Sequence, residues 1–126
     1  MEKLGKLSET EMEIMKAIWK VSAPVTVAQL LDMFESKGWK TSTMSTILKR
    51  LIEKGFLTKS MSGNVNYYEP VLNWKEYQKY ENKTFLGRLY NGEVKNFFAA
   101  LVDDDELSQD DITELKEWFM READKK

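Results

Sequence analysis

The sequence contains no cysteine and no histidine. Without cysteine there is no disulfide framework, no thiol nucleophile and no thiolate metal site. Without histidine the commonest acid/base at neutral pH, the commonest transition-metal ligand and every His-based triad are gone. No apolar run is long enough to span a bilayer and no signal-peptide pattern opens the chain. A cytoplasmic protein without membrane insertion is therefore expected. No glycine-rich phosphate loop and no nucleophile-and-base arrangement occurs, so the sequence predicts no enzyme and calls for no cofactor. The acidic run Asp103-Asp104-Asp105-Glu106 lacks the spacing and the turn glycine of a calcium loop. It reads instead as acids near the N-terminus of a sixth helix, where the helix dipole favours them, and no metal ligands are assigned.

What is present is globular. The 126 residues are 42% hydrophobic and 32% charged, enough for one ordinary domain or two small ones sharing a core. The net charge of −2 hides an asymmetry. Residues 1–70 carry a net +2 and residues 71–126 a net −4. Residues 37–59 hold six basic groups (Lys37, Lys40, Lys49, Arg50, Lys54, Lys59) against the single acid Glu53. Basic charge gathered in one segment produces a local field that a phosphate backbone would feel despite the acidic whole.

Periodicity divides the chain into helices and one hairpin. Ser8-Glu9-Thr10-Glu11 is a capping box for a helix over residues 8–20. Met12, Met15 and Trp19 form its stripe, with Ile14, Ile18 and Val21 beside them. Ala23-Pro24-Val25 breaks it. A second box, Thr26 to Gln29, opens a helix with Val27, Leu30, Leu31 and Phe34 on one side, ended at Lys37-Gly38 with Gly38 as a left-handed cap. A third helix spans about Thr41 to Lys54. Phe56–Ser60 and Val65–Glu69 then read as two strands joined by Met61-Ser62-Gly63-Asn64, and Pro70 closes them. Helix, helix, helix, hairpin is the order of a winged helix-turn-helix. Residues 73–126 read as three further helices holding nine aromatics. A unit that small leaves much apolar surface wet, and a second copy of the chain is the simplest cover. The predicted fold class is mainly α with a small β-hairpin wing. Residues 1–72 form the DNA-binding winged helix and residues 73–126 a three-helix dimerisation region.

The third helix carries the functional signal. Met44, Ile47, Leu48, Leu51 and Ile52 point one way at about 100° per residue. Ser42, Thr46, Lys49 and Glu53 point the other, flanked by Thr43, Ser45 and Arg50. An ordinary exposed face favours strong helix formers such as Glu and Lys. Hydroxyls and cations in their place suit the major groove, where short polar side chains approach bases and Arg or Lys meets guanine or phosphate. Thr43 and Thr46 are the expected base readers. Ser42, Lys49 and Arg50 are expected to hold register, with Thr41 and Ser45 beside them. On the wing, Lys59 and Asn64 are the assigned contacts, and Ser60, Ser62 and Asn66 could also touch phosphate or sugar, though any exposed hairpin carries such residues. Double-stranded DNA is thus the expected partner. Two other classes fit the same order of elements: a winged helix turned toward a protein, and a regulator with a ligand pocket among the C-terminal aromatics.

The chain resembles the penicillinase-repressor and methicillin-resistance-regulator family of bacterial transcriptional repressors. The resemblance runs from Leu7 to about Trp118. It rests on Ser8 to Trp19, Trp39, the series Thr43, Thr46, Leu48, Arg50 and Leu51, then Lys54-Gly55, Gly63, Tyr68 and Pro70. In the second half it rests on Phe85-Leu86, Tyr90-Asn91-Gly92, Leu107-Ser108 and Glu114-Leu115. The resemblance implies a homodimer interlocked through its C-terminal helices, acting as a repressor on a palindromic operator with TACA and TGTA cores. It also implies inactivation by cleavage in the fifth helix, downstream of a membrane metalloprotease sensor. The family bond is Asn-Phe; aligned on Leu107-Ser108 it falls at Ala100-Leu101 here. The family's Ser-Pro-Lys lead-in to the third helix is replaced by Lys40-Thr41-Ser42. Copper-responsive relatives carry C-terminal cysteines, which this chain lacks.

Overall fold

The computed structural model describes residues 4–22 and 24–125. The elements are α1 (Glu9–Lys20), α2 (Val27–Met33), a 3-10 turn (Glu35–Lys37), α3 (Thr41–Glu53), β1 (Leu57–Ser62), β2 (Val65–Pro70), α4 (Trp74–Tyr90), α5 (Val94–Asp103) and α6 (Gln109–Asp124). Ala23, placed by the sequence in the break after the first helix, lies outside the described residues.

Local chemistry accounts for the helix starts. The Ser8 hydroxyl accepts from Glu11 N–H at 3.2 Å while Ser8 N–H donates to the Glu11 carboxylate at 2.8 Å. Thr26 with Gln29, and Ser108 with Asp111, form the same reciprocal pairs. Asn73 and Glu76 do so at the head of α4, a capping pair the sequence reading passed over. Each satisfies two backbone donors that a helix start leaves without partners.

Two boundaries differ from expectation by more than one residue. The second helix stops at Met33 and tightens into a 3-10 turn before Gly38, which takes the left-handed conformation at φ 67°. The first strand runs two residues further, to Ser62, which pairs with Val65. That leaves Gly63-Asn64 as the whole turn, with Gly63 at φ 64°, the residue type that reaches positive φ without a Cβ clash. The hairpin also gains a partner that the sequence did not announce. Val25 exchanges both backbone hydrogen bonds with Tyr68, at 2.9 and 2.8 Å.

The acidic run is placed differently from the sequence reading. Asp103 is the last residue of α5 and Asp105 adopts φ 58° in the bend after it, whereas the first turn of α6 holds Asp110 and Asp111. Ser108 is the cap, so the acids that gain from the α6 dipole lie after it, and Asp103 sits at the unfavourable end of α5.

Two compact units divide between Gln78 and Lys79, inside α4. In the first, Ile14, Met15 and Ile18 of α1, Leu30 of α2 and Met44, Ile47, Leu48 and Leu51 of α3 meet Val25, Phe56, Leu57 and Tyr68 in one core. The first turns of α4 belong to it. Tyr77 is 5% exposed, stacked on Trp19 at 5.0 Å and edge-on to Phe56 at 5.5 Å. Trp19 donates its indole N–H to Leu72 O at 2.8 Å, which satisfies the one polar atom of a half-buried ring. In the second unit, Phe85, Tyr90 and Phe97 form a ring cluster, and Phe98 meets Phe119 at 6.0 Å. No described residue from 79 onward is fully buried.

Candidate nucleic-acid interface

The core fixes the orientation of α3. With Met44, Ile47, Leu48 and Leu51 buried, the helical period turns Thr41, Ser42, Thr43, Thr46, Lys49 and Arg50 to solvent, while Ser45 is half-buried. Seven assigned positions therefore lie on one element. Six of them divide between two flanks, and Thr41, at the start of the helix, lines neither. Ser42, Thr43, Thr46 and Arg50 line a groove of about 460 Å³ shared with Ser8 and Thr10 at the start of α1. Ser45 and Lys49 line a cleft of about 750 Å³ shared with Thr58, Lys59 and Asn66 of the hairpin. Asn64 is exposed at the hairpin turn and lines neither.

The structure adds residues that sequence reasoning missed. Ser8 and Thr10 border the α3 groove, although Ser8 reads from sequence only as a cap. Thr58 joins Lys59 at the hairpin cleft. Asn66, which the sequence already offers as a wing contact, is more telling, because its Oδ1 is buried without a hydrogen-bond partner among the described residues. A buried acceptor without a donor costs free energy that a ligand or solvent donor would recover.

Electrostatics narrows the basic segment. Lys54 is committed inward: its ammonium bonds Lys6 O at 2.7 Å and pairs with the Glu11 carboxylate. Lys37 pairs with Glu13 at 3.4 Å. The cations of this segment without an ion pair among the described residues are Lys40, Lys49, Arg50 and Lys59, and Lys49, Arg50 and Lys59 lie on the two flanks of α3. Glu11 is 4% exposed. Burial alone would raise its pKa, but the hydrogen bonds from Lys54 and Ser8 and the Lys54 charge outweigh burial and hold it below the ordinary carboxylate value.

Two further features shape the exposed face. Lys40 caps α3 without a side-chain hydrogen bond, so the partly positive helix start beside Thr41, Ser42 and Thr43 is left uncompensated. The Thr46 hydroxyl donates to Ser42 O at 2.9 Å. Its proton is thus spent within the helix, and it offers outward its methyl group and an acceptor oxygen.

Ala100 and Leu101 stand inside α5, both half-buried. Their carbonyls accept from Asp104 N–H at 3.0 Å and Glu106 N–H at 2.9 Å. No group of three or more Asp or Glu among the described residues could hold a metal ion. No helix among them is long and apolar enough to cross a membrane.

Comparison with known proteins agrees with this geometry. The penicillinase repressor family model matches residues 7–121. The penicillinase repressor of Bacillus licheniformis is 34% identical over 115 residues, covering 91% of this chain and 90% of that protein. The methicillin resistance regulatory protein MecI of Staphylococcus aureus is 27% identical over 116 residues, covering 90% and 93%. Among solved structures, the DNA-binding domain of the repressor BlaI superposes with a TM-score of 0.53 at 33% identity, covering 61% of this chain and 94% of that one. The Bacillus licheniformis BlaI monomer bound to the blaP half-operator superposes at 0.50, with the same identity and coverage. A mainly helical chain with a two-stranded wing and an outward polar α3 matches the family along nearly its whole length; the chain belongs to the penicillinase repressor family of winged-helix transcriptional repressors.

Proposed function

We propose that this chain represses transcription as a homodimer, each winged helix reading one half of a palindromic operator of the TACA/TGTA type. The observation that carries the reading is the outward face of α3, where Thr43, Thr46, Lys49 and Arg50 are exposed opposite the buried Met44, Ile47, Leu48 and Leu51. Half-operator binding by a BlaI monomer whose domain superposes on this one supports the placement. In this reading Thr43 and Thr46 face base edges. Ser42 and Arg50 on one flank, and Ser45, Lys49 and Lys59 on the other, hold the phosphates that border the groove. Thr41 and Asn64 lie at the periphery of that contact. Residues 1–72 supply DNA binding and residues 73–126 supply dimerisation.

The division of labour follows from energetics. One module with a few phosphate contacts binds DNA loosely, and two linked modules on two half-sites combine their free energies less the cost of linkage. The exposed apolar faces of α5 and α6 are the surface that the dimer would cover. Proteolytic release at Ala100-Leu101 would require α5 to unwind first, because both carbonyls are hydrogen-bonded. The family's metalloprotease sensor is the partner for that step.

Fluorescence anisotropy with the palindrome and a scrambled duplex, each across a salt series, tests the proposal. The expected result is much tighter binding to the palindrome and a log–log salt slope of about −0.9 per phosphate neutralised. Equal, weak binding to both duplexes would overturn it.

A further inference from the structure

The winged-helix unit carries a second cleft that shares no lining residue with the grooves beside α3. Lys16, Trp19 and Lys20 of α1 and Trp74 at the head of α4 line about 430 Å³, a volume within the range of small-molecule sites. Its walls are indole rings, with centroids 5.2 Å apart and planes inclined at 52°. Trp19 is held firmly, stacked on Tyr77 and hydrogen-bonded to Leu72 O. Trp74 packs one side of its ring near Trp19 and Tyr77 and remains 40% exposed, which leaves indole surface open to the cleft.

The rim is cationic. Lys16 and Lys20 stand one helical turn apart, a like-charge spacing that repels. Neither has an ion pair among the described residues. Glu13, the acid α1 could offer to Lys16, is engaged by Lys37. Neither ammonium lies over an aromatic ring, whereas Lys37 does lie over Trp39.

From the paired indole walls and the two ammonium groups without ion pairs among the described residues we infer that this cleft binds a small planar aromatic carboxylate, its ring against Trp19 and Trp74 and its carboxylate between Lys16 and Lys20. A neutral aromatic would leave the lysines repelling each other, and a bare inorganic anion would leave the indoles wet. The required ligand carries both features. The inference does not depend on the operator reading.

The test uses the full chain, isotope-labelled, with its four tryptophan indole N–H signals followed by NMR as naphthoate is added. Saturable shifts are expected at Trp19 and Trp74, with Trp39 and Trp118 unmoved. Naphthalenemethanol, with the same ring and no charge, should bind about tenfold more weakly. The double substitution Lys16→Gln and Lys20→Gln should erase that difference. Trp74→Leu should abolish the shifts while the circular dichroism of the folded chain stays unchanged. Equal affinity for the charged and neutral probes would overturn the inference. So would shifts at Trp118 as large as those at Trp19, which would mark adhesion to the exposed helices, or no saturable shift at any indole.

Discussion

The helices α3 and α5 carry the same apolar spacing and end in different surroundings. In α3, Met44, Ile47, Leu48 and Leu51 are fully buried and Ile52 is half-buried. In α5, Phe97, Phe98 and Leu101 are only half-buried, and Val94 and Val102 are exposed. The contrast extends to the two units. Every fully buried hydrophobic side chain of the described residues lies between Ile14 and Tyr77, whereas Trp118, Phe119 and Met120 of α6 are 47%, 48% and 61% exposed. An apolar stripe states that a helix face must be covered; it does not state by what. The first unit covers its stripes from within. The second leaves its stripes open, and a second copy of the chain is the cover we propose.

The largest test of that contrast separates the units. Residues 1–78 alone should melt cooperatively, because their core is complete. Residues 79–126 alone should show little helix at low concentration and gain it as concentration rises, since short helices without burial are marginal in water. Circular dichroism across a dilution series measures both. A concentration-independent, cooperative melt of the second fragment would dissolve the distinction.

Single substitutions sharpen it. Leu48→Ala should cost about 3 kcal/mol, the range for a fully buried leucine, equally at high and low protein concentration. Trp118→Ser should cost more on dilution than in concentrated solution if its half-exposed ring is covered by the second copy we propose. Urea melts at two concentrations distinguish the two behaviours.

A smaller effect comes from the ion pair inside the first unit. Glu11 is held below its ordinary pKa by Lys54 and Ser8. A depressed carboxylate pKa stabilises the fold above the unfolded value and ceases to do so as pH falls through the folded one. Glu11→Gln should therefore be less stable than the parent by about 1–2 kcal/mol at neutral pH. The difference should close as the solution is acidified below about pH 4. A gap that stayed constant to low pH would show that the carboxylate charge contributes nothing.

The smallest effect concerns Thr46. Its hydroxyl proton is spent on Ser42 O, so what it can present to a base is mainly a methyl group. Thr46→Val keeps that methyl and should leave operator affinity within about threefold of the parent, whereas Thr46→Ala should weaken binding about tenfold and relax specificity at one base pair. Equal losses for both substitutions would return the reading role to the hydroxyl.

Much of this arrangement was legible in the sequence, for reasons that particular residues make clear. The capping boxes at Ser8 and Thr26 are local chemistry, and local chemistry survives any tertiary context. The stripe of α3 was readable because its period is regular and its opposite face is polar. Val25 was not readable as a strand residue, because its pairing with Tyr68 spans a long stretch of chain and leaves no local pattern. The inward commitment of Lys54 was hidden too, since sequence counts charges without saying which are already neutralised. The acidic run was misplaced because α5 extends through Asp103 and the chain turns at Asp105, a left-handed bend that periodicity does not reveal.

The measurement that tests the account most directly is sedimentation of the full chain on an intact TACA/TGTA palindrome and on the same duplex with one half scrambled. Two chains per intact duplex, bound cooperatively, and a steep loss of affinity on the half-scrambled one, are the results predicted. One chain per duplex, bound equally well to both, would contradict the claim that the second unit exists to pair two winged helices.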